Sequence, residues 1–151
     1  MGPVESVMSF TSTLNHKIET EDMGTGIIRF RNGALGTVEV TMNTFPKNLE
    51  GSITIMGENG TVKIGGIAVN QIDYWEFKDY DDDDKLIQTA KTDPKSVYGF
   101  GHLGFLQNVV DALRGEDVPN TDGRSGRKSL ELILAMYQSA ENGKKIALPL
   151  R

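Results

Sequence analysis

The sequence predicts an α+β domain, with one largely antiparallel open sheet and two C-terminal helices packed on one face. Three observations carry this expectation. Residues 4–77 alternate apolar and polar side chains with a period of two. The alternating runs are separated by short glycine-containing turns. Two stretches of helical period appear only after them.

The strands follow in order. In Val4–Leu14 the even positions Val4, Met8, Phe10 and Leu14 are apolar, while Glu5, Ser9, Thr11 and Thr13 are polar. Asn15–Asp22 is a polar connection. Thr25–Arg31 alternates Ile28 and Phe30 against Arg29 and Arg31, with Ile27 out of phase. Asn32-Gly33 is the strongest hairpin signal of the chain, and the return strand Ala34–Met42 sets Val38, Val40 and Met42 against Thr37, Glu39 and Thr41. Pro46 interrupts the ladder. Ser52–Met56, Thr61–Ile64 and Val69–Phe77 then form three further strands around Gly57-Glu58-Asn59-Gly60 and Gly65-Gly66. Connections this short predict antiparallel pairing.

Lys78–Ser96 is an acidic connection. The first helix, Leu103–Arg114, repeats Leu103, Leu106, Val109, Val110 and Leu113 at steps of three and four, and Gly115 stops it. The second, about Ser125–Asn142, carries Leu130, Ile133, Leu134 and Tyr137 on one stripe. Asp122 is its cap and Gly143 its stop. Lys145–Leu148 adds a short final strand. The face opposite the helices is expected to carry Val7, Thr11, Ile27, Leu35, Thr37 and Thr41, a surface suited to a second copy of the chain.

Composition excludes several classes of function. The 151 residues are one domain by length and bury roughly 70% of the unfolded surface. Sixteen basic against 21 acidic residues give a net charge of −5, so a phosphate backbone has no general attraction to the domain and no nucleic-acid partner is expected. With no cysteine there is no disulfide scaffold, thiol catalysis or cysteine-ligated metal. No apolar run spans a bilayer, so no membrane partner is expected. The start lacks the basic and apolar regions of a signal peptide, and a cytoplasmic location is expected. Gly2 and Ser6 match a loose myristoylation pattern in which Pro3 is unsuited, and Asn59-Gly60-Thr61 reads as a tight turn rather than a glycosylation site.

Neither Gly24-Thr25-Gly26 nor Gly99-Phe100-Gly101 has the third glycine and strand-to-helix setting of a dinucleotide fingerprint. The acidic run fails as a calcium loop. Counting from Asp79, the sixth position is Asp84 instead of glycine and the twelfth is Ala90 instead of glutamate. Of the two histidines, His16 reads as a solvated side chain in a polar connection. His102, between Gly101 and Leu103 in the first turn of a helix, suits a neutral imidazole that bonds a sugar hydroxyl or phosphate. A structural histidine satisfying loop carbonyls is the alternative. Two histidines so far apart make no metal site.

Several stretches resemble the C-terminal domain of the Gfo/Idh/MocA oxidoreductases. They are Glu21-Asp22, Ile27–Gly36, Phe45-Pro46, Ile55–Val62, Gly101-His102, Asp111-Ala112-Leu113 and Gly126–Ala140, in order and spacing from about Val4 to Pro149. The resemblance implies a fold like the C-terminal domain of glyceraldehyde-phosphate dehydrogenase. It also implies an NAD(P)-dependent parent that oxidises a hydroxyl of a sugar, sugar nucleotide or cyclitol. The unbroken stretch is similar to members acting on UDP-linked amino-sugar acids.

Members begin with a Rossmann domain, and its glycines, the Glu-Lys-Pro lysine and the helix histidine have no counterpart in this sequence. Residues 1–151 are therefore expected to be the substrate-binding and oligomerisation domain, the C-terminal half of a longer oxidoreductase. The chain itself would carry no catalytic residue and bind no cofactor, with NAD or NADP held by the N-terminal Rossmann domain of the parent. By the same resemblance the sheet makes subunit contacts in a homo-oligomer, and two loops complete the substrate pocket. These are Thr44–Asn48, with Phe45 and Lys47, and Tyr98–His102, with Tyr98 and His102. Where the family often has arginine after the proline turn, this chain has Lys47-Asn48. The competing expectation is a free-standing, non-catalytic carbohydrate-binding or assembly module.

Overall fold

The computed structural model describes residues 1–90, 92, 94 and 99–150. Strands β1 (Val4–Ser12), β2 (Met23–Phe30), β3 (Leu35–Thr41), β4 (Ile53–Met56), β5 (Gly60–Gly65) and β6 (Gln71–Phe77) come first. A 3-10 turn (Asp83–Leu86), α1 (Ile87–Ala90), α2 (Gly101–Arg114), α3 (Gly123–Asn142) and β7 (Ile146–Ala147) follow. Antiparallel strands followed by two long helices are the α+β arrangement the sequence predicts. The strands form two hydrogen-bonded sheets rather than one, ordered β3-β2-β1-β7 and β4-β5-β6. The division falls in the connection from β3 to β4, at the Phe45-Pro46 peptide, which is cis. Two compact units result: one built from Met1–Thr44 and the chain from Thr121 onward, the other from Phe45–Asn120.

In the first unit, α3 lies on the four-stranded sheet. Val7, Ile28 and Ala135 are its buried apolar centre, with Val4, Phe30, Val38, Leu132 and Met136 packed around them. The approach is close because the contact residues are small. A Cβ on Gly26 would stand 3.2 Å from Ser9 Cβ and 3.3 Å from Met136 Cε. Ser139, wholly buried on α3, accepts from the Ser9 N–H at 3.0 Å and donates to the Lys144 carbonyl at 2.6 Å. Asp122 caps α3 by accepting from Ser125 N–H at 2.8 Å, and Gly143 closes it at φ 62°.

The face assignment of β1 needs correction. The ladder shifts register between Val4 and Ser6, so Val4 and Val7 both turn to the helix although one is even and one odd. The bulge inverts the alternation read from the sequence. Val7 and Thr11 lie on the helix side with Ile28 and Gly24, while Met8 and Phe10 join Ile27, Leu35, Thr37 and Thr41 on the open face. The hairpin at Asn32-Gly33 also has a specific form. Gly33 N–H donates to Phe30 O at 3.0 Å, and Gly33 takes φ 92° as the third residue of a three-residue loop.

In the second unit β4, β5 and β6 form an antiparallel meander. Trp75 and Phe77 on β6 have ring centroids 5.2 Å apart. The acidic connection is partly helical and ties its own backbone. The Asp81 carboxylate accepts from Asp83 N–H at 2.9 Å, and Asp84 accepts Trp75 Nε1–H at 2.6 Å. Helix α2 belongs to this unit and closes in a Schellman turn at Gly115, where Glu116 N–H reaches Asp111 O at 2.9 Å.

Val69, in the turn between β5 and β6, adopts φ 52°, a left-handed conformation that a β-branched residue enters only under strain. Val69→Gly is expected to stabilise the chain by roughly 0.5–1.5 kcal/mol, because relief of that strain exceeds the added unfolded-state entropy. Urea denaturation checks it. A midpoint at or below that of the parent chain would show that the turn is unstrained.

Candidate functional site

The second unit holds the site residues expected from the sequence. Phe45 and Lys47 lie on the connection into β4, both exposed, and Phe45 is 97% exposed. His102 is the second residue of α2 and is exposed. Tyr98 lies outside the described residues. Among the described residues no hydrogen bond or ion pair joins Phe45 or Lys47 to His102.

The chain folds this way at His102 because glycines shape the approach. Gly99 takes φ 59°, and a Cβ there would stand 3.5 Å from Ala68 Cβ, against the turn that contains Val69. Phe100 precedes α2 with φ −113°, and its own side chain makes no cap. Among the described residues, Cβ atoms on Gly101 and Gly104 would meet nothing within 4 Å. The start of α2 is thus open on the glycine positions that flank His102, which suits close approach of a polar ligand. The larger hollows of this unit, about 310 and 390 Å³, run along β6 and the acidic turn instead, next to Trp75 and Asp84. There the Asp81 carboxylate accepts the N–H groups of Asp83 and Asp84, and the Asp84 carboxylate accepts those of Asp81 and the Trp75 indole. No group of three or more His, Asp or Glu side chains converges to hold a metal ion among the described residues.

The first unit contributes a constellation that sequence reading missed. His16 is not merely solvated: its Nδ1 lies 3.1 Å from Asp22 Oδ2. Asp22 is 2% exposed, and its carboxylate also accepts from the N–H groups of Leu14, Asn15 and His16 at 2.8, 2.8 and 3.0 Å. Burial pushes this carboxyl up, but the converging N–H groups of Asn15, His16 and Leu14 prevail and hold it well below the usual carboxylate range. The Asp22 carbonyl in turn accepts from Met42 N–H at 2.9 Å and Thr41 Oγ1 at 3.2 Å. The available signal was Glu21-Asp22 closing a polar loop, since a buried aspartate there is the natural acceptor for that loop's amides.

Beside it, Tyr137 Oη on α3 donates to Glu21 Oε1 at 2.5 Å. Hydrogen bonds from Thr20 and then Tyr137 lower the Glu21 carboxyl, and the same bond to Glu21 raises the Tyr137 phenol. These two residues border an apolar cleft of about 230 Å³ between α3 and the sheet, lined also by Val38, Val40 and Met136.

Antiparallel strands, with α3 packed on the four-stranded sheet, define an alpha/beta domain. The chain belongs to the Gfo/Idh/MocA family: residues 1–148 match the family's C-terminal alpha/beta domain. It is similar to the WlbA dehydrogenase of Bordetella pertussis, solved with NADH and UDP-GlcNAcA, at 53% identity and a TM-score of 0.94 over 100% of this chain and 44% of that one. The WlbA dehydrogenase of Chromobacterium violaceum, solved with the same two molecules, gives 52% identity and a TM-score of 0.91 over 100% of this chain and 42% of that one. The D-apiose dehydrogenase of Rhizobium rhizogenes is 27% identical across 97% of this chain and 43% of its own length. This chain therefore spans less than half the length of these relatives. Among the described residues no helix is long and apolar enough to cross a membrane.

Proposed function

We propose that this chain is the substrate-binding and subunit-contact half of an NAD-dependent dehydrogenase that oxidises a hydroxyl of a sugar nucleotide in the cytoplasm. The observation that carries the reading is the 53% identity, over the whole chain, to a dehydrogenase solved with NADH and UDP-GlcNAcA. Phe45, Lys47, Tyr98 and His102 are the proposed substrate contacts. Lys47 meets the pyrophosphate as a point charge, Phe45 and Tyr98 pack on the base or sugar, and His102 bonds a sugar hydroxyl.

On this reading the dinucleotide is not held by these residues. Its binding calls for a glycine-rich turn between a parallel strand and a helix N-terminus. The described strands pair only antiparallel, and Gly101 opens α2 from a loop rather than from a strand. The reading assigns NAD to a Rossmann domain in the parent, where it would supply hydride acceptance. The role of this chain is to orient the substrate carbinol and exclude water around it. Calorimetric titration tests the division of labour. Millimolar or weaker binding of NADH by this chain is expected, and micromolar binding of NADH or NADPH would overturn it.

Subunit contact is proposed for the open face of the first sheet. Phe10, Ile27 and Leu35 are 63, 58 and 67% exposed, and Ile27 and Leu35 border a shallow hollow of about 340 Å³ with Met8 and Thr37. A self-complementary pairing of about 1,600 Å² in total would cover them. Sedimentation at tens of micromolar is expected to show a dimer or larger species, and Leu35→Glu to shift it to monomer with unchanged circular dichroism. A wild-type chain that sediments only as monomer would remove the assembly role.

A further inference from the structure

We propose that the open face of the first sheet meets the same face of a second copy in one orientation only. The strands of the two sheets run antiparallel across a two-fold axis perpendicular to them, so that Arg29 of each copy meets Glu39 of the other. The inference rests on the reading above that this face is the subunit contact, and it adds which way round the copies stand. The β2–β3 ladder sets the positions. Arg29 stands opposite Leu35, Ile27 opposite Thr37 and Thr25 opposite Glu39. These residues face away from α3, because Ile28 and Val38, which alternate with them, pack in the core. Arg29 and Glu39 therefore lie toward opposite ends of the face, about 13 Å apart along the strands. Both are exposed, and among the described residues neither has an ion-pair partner.

Two sheets stacked face to face with aligned strands allow a two-fold axis along the strands or across them. An axis along the strands keeps every residue at its own level. The level of Arg29 in one copy then faces the level of Arg29 in the other, and no opposite charge comes within reach. An axis across the strands exchanges the two ends. It sets the partner's Glu39 over the row of Arg29 and Leu35, and symmetry repeats the contact. The axis then crosses the middle row, Ile27 and Thr37, which borders the hollow of about 340 Å³. An apolar centre flanked by two charge pairs is the usual anatomy of a stable contact. Lys145, on the β7 side of the same hollow, is exposed and extends its ammonium into water. The charge pairs select the orientation, while the apolar centre supplies most of the affinity.

The test is sedimentation of the 151-residue chain and its charge-exchanged variants. Arg29→Glu and Glu39→Arg should each weaken self-association about tenfold or more, since each turns both attractive contacts into repulsive ones. The double exchange, Arg29→Glu with Glu39→Arg, should return the dissociation constant to within about threefold of the parent's. An equimolar mixture of the two single variants should also associate like the parent, because a mixed pair restores both contacts. Circular dichroism should be unchanged throughout, as both side chains are exposed. If the single exchanges associate like the parent, or their mixture is no tighter than its components, the orientation is wrong. Loss of the dimer in Leu35→Glu would in that case still keep this face as the contact. A monomeric parent chain, or a Leu35→Glu variant that still dimerises, overturns both the orientation and the face.

Discussion

Asp22→Asn is expected to lower the melting temperature by roughly 5–10 °C at pH 7, one of the largest single-site effects on this fold. The substitution puts an amide NH₂ where one carboxylate oxygen stands, so donors would face the N–H groups of Leu14, Asn15 and His16 in a site closed to water. The pH dependence identifies the cause. Burial alone would raise this carboxyl, yet the loop amides depress it below its unfolded value of about 3.9. A depressed carboxylate contributes stability that is fully present above its unfolded pKa and is lost as pH falls toward the folded one. The gap in melting temperature between wild type and Asp22→Asn should stay constant from pH 8 to about 5 and narrow below pH 4. A gap that keeps its full size at pH 3 would mean that the charge on Asp22 stabilises nothing.

If the proposed function holds, His102→Ala in the full-length protein should reduce kcat/KM for UDP-GlcNAcA at least tenfold, ~1.4 kcal/mol of transition-state stabilisation, with little change in melting temperature. The side chain is exposed at the open start of α2, so removing it leaves no cavity. A hydrogen bond to the reacting sugar would appear chiefly in kcat/KM, whereas a loop-anchoring role would appear in thermal stability. Gly104→Ala provides a control of opposite sign. It adds a methyl into open space on a helix and should raise stability by about 0.5–1 kcal/mol, while crowding the same ligand approach. Full activity in His102→Ala, with a melting temperature many degrees lower, would favour the structural role.

Much of the fold was legible in the sequence because its signals are local. Asn32-Gly33 marked its hairpin, Asp122 marked the start of α3, and Gly115 and Gly143 marked the helix ends, all through backbone preferences that act within a few residues. What stayed hidden was non-local. The bulge before Ser6 leaves no compositional trace, yet it exchanges Val7 for Met8 on the buried face. The partition into two sheets depends on which strands find each other across the proline connection. His16 and Asp22 are six residues apart, a spacing that means nothing until a loop brings three amides onto one carboxylate. Phe45 and Lys47 entered only through family resemblance, since their residue types define no chemistry by themselves, whereas His102 was also singled out by its flanking glycines and its place in the first turn of a helix.

The first unit is assembled from both ends of the chain. Ser6 pairs with Ala147, and the Ser9 amide reaches Ser139 across a separation of 130 residues. During synthesis β1, β2 and β3 precede α3, and within this unit nothing covers Val7 and Ile28 until α3 follows. The nascent three-stranded ribbon must wait with its apolar side bare while the 76 residues from Phe45 to Asn120 are added. Two consequences follow for handling the protein. Refolding from denaturant should be slow for its size, because the defining contacts close one very long loop. Clipping the last few residues, distant in sequence from every proposed ligand contact, should unseat β7 and α3 and make the amino-terminal strands the first to aggregate.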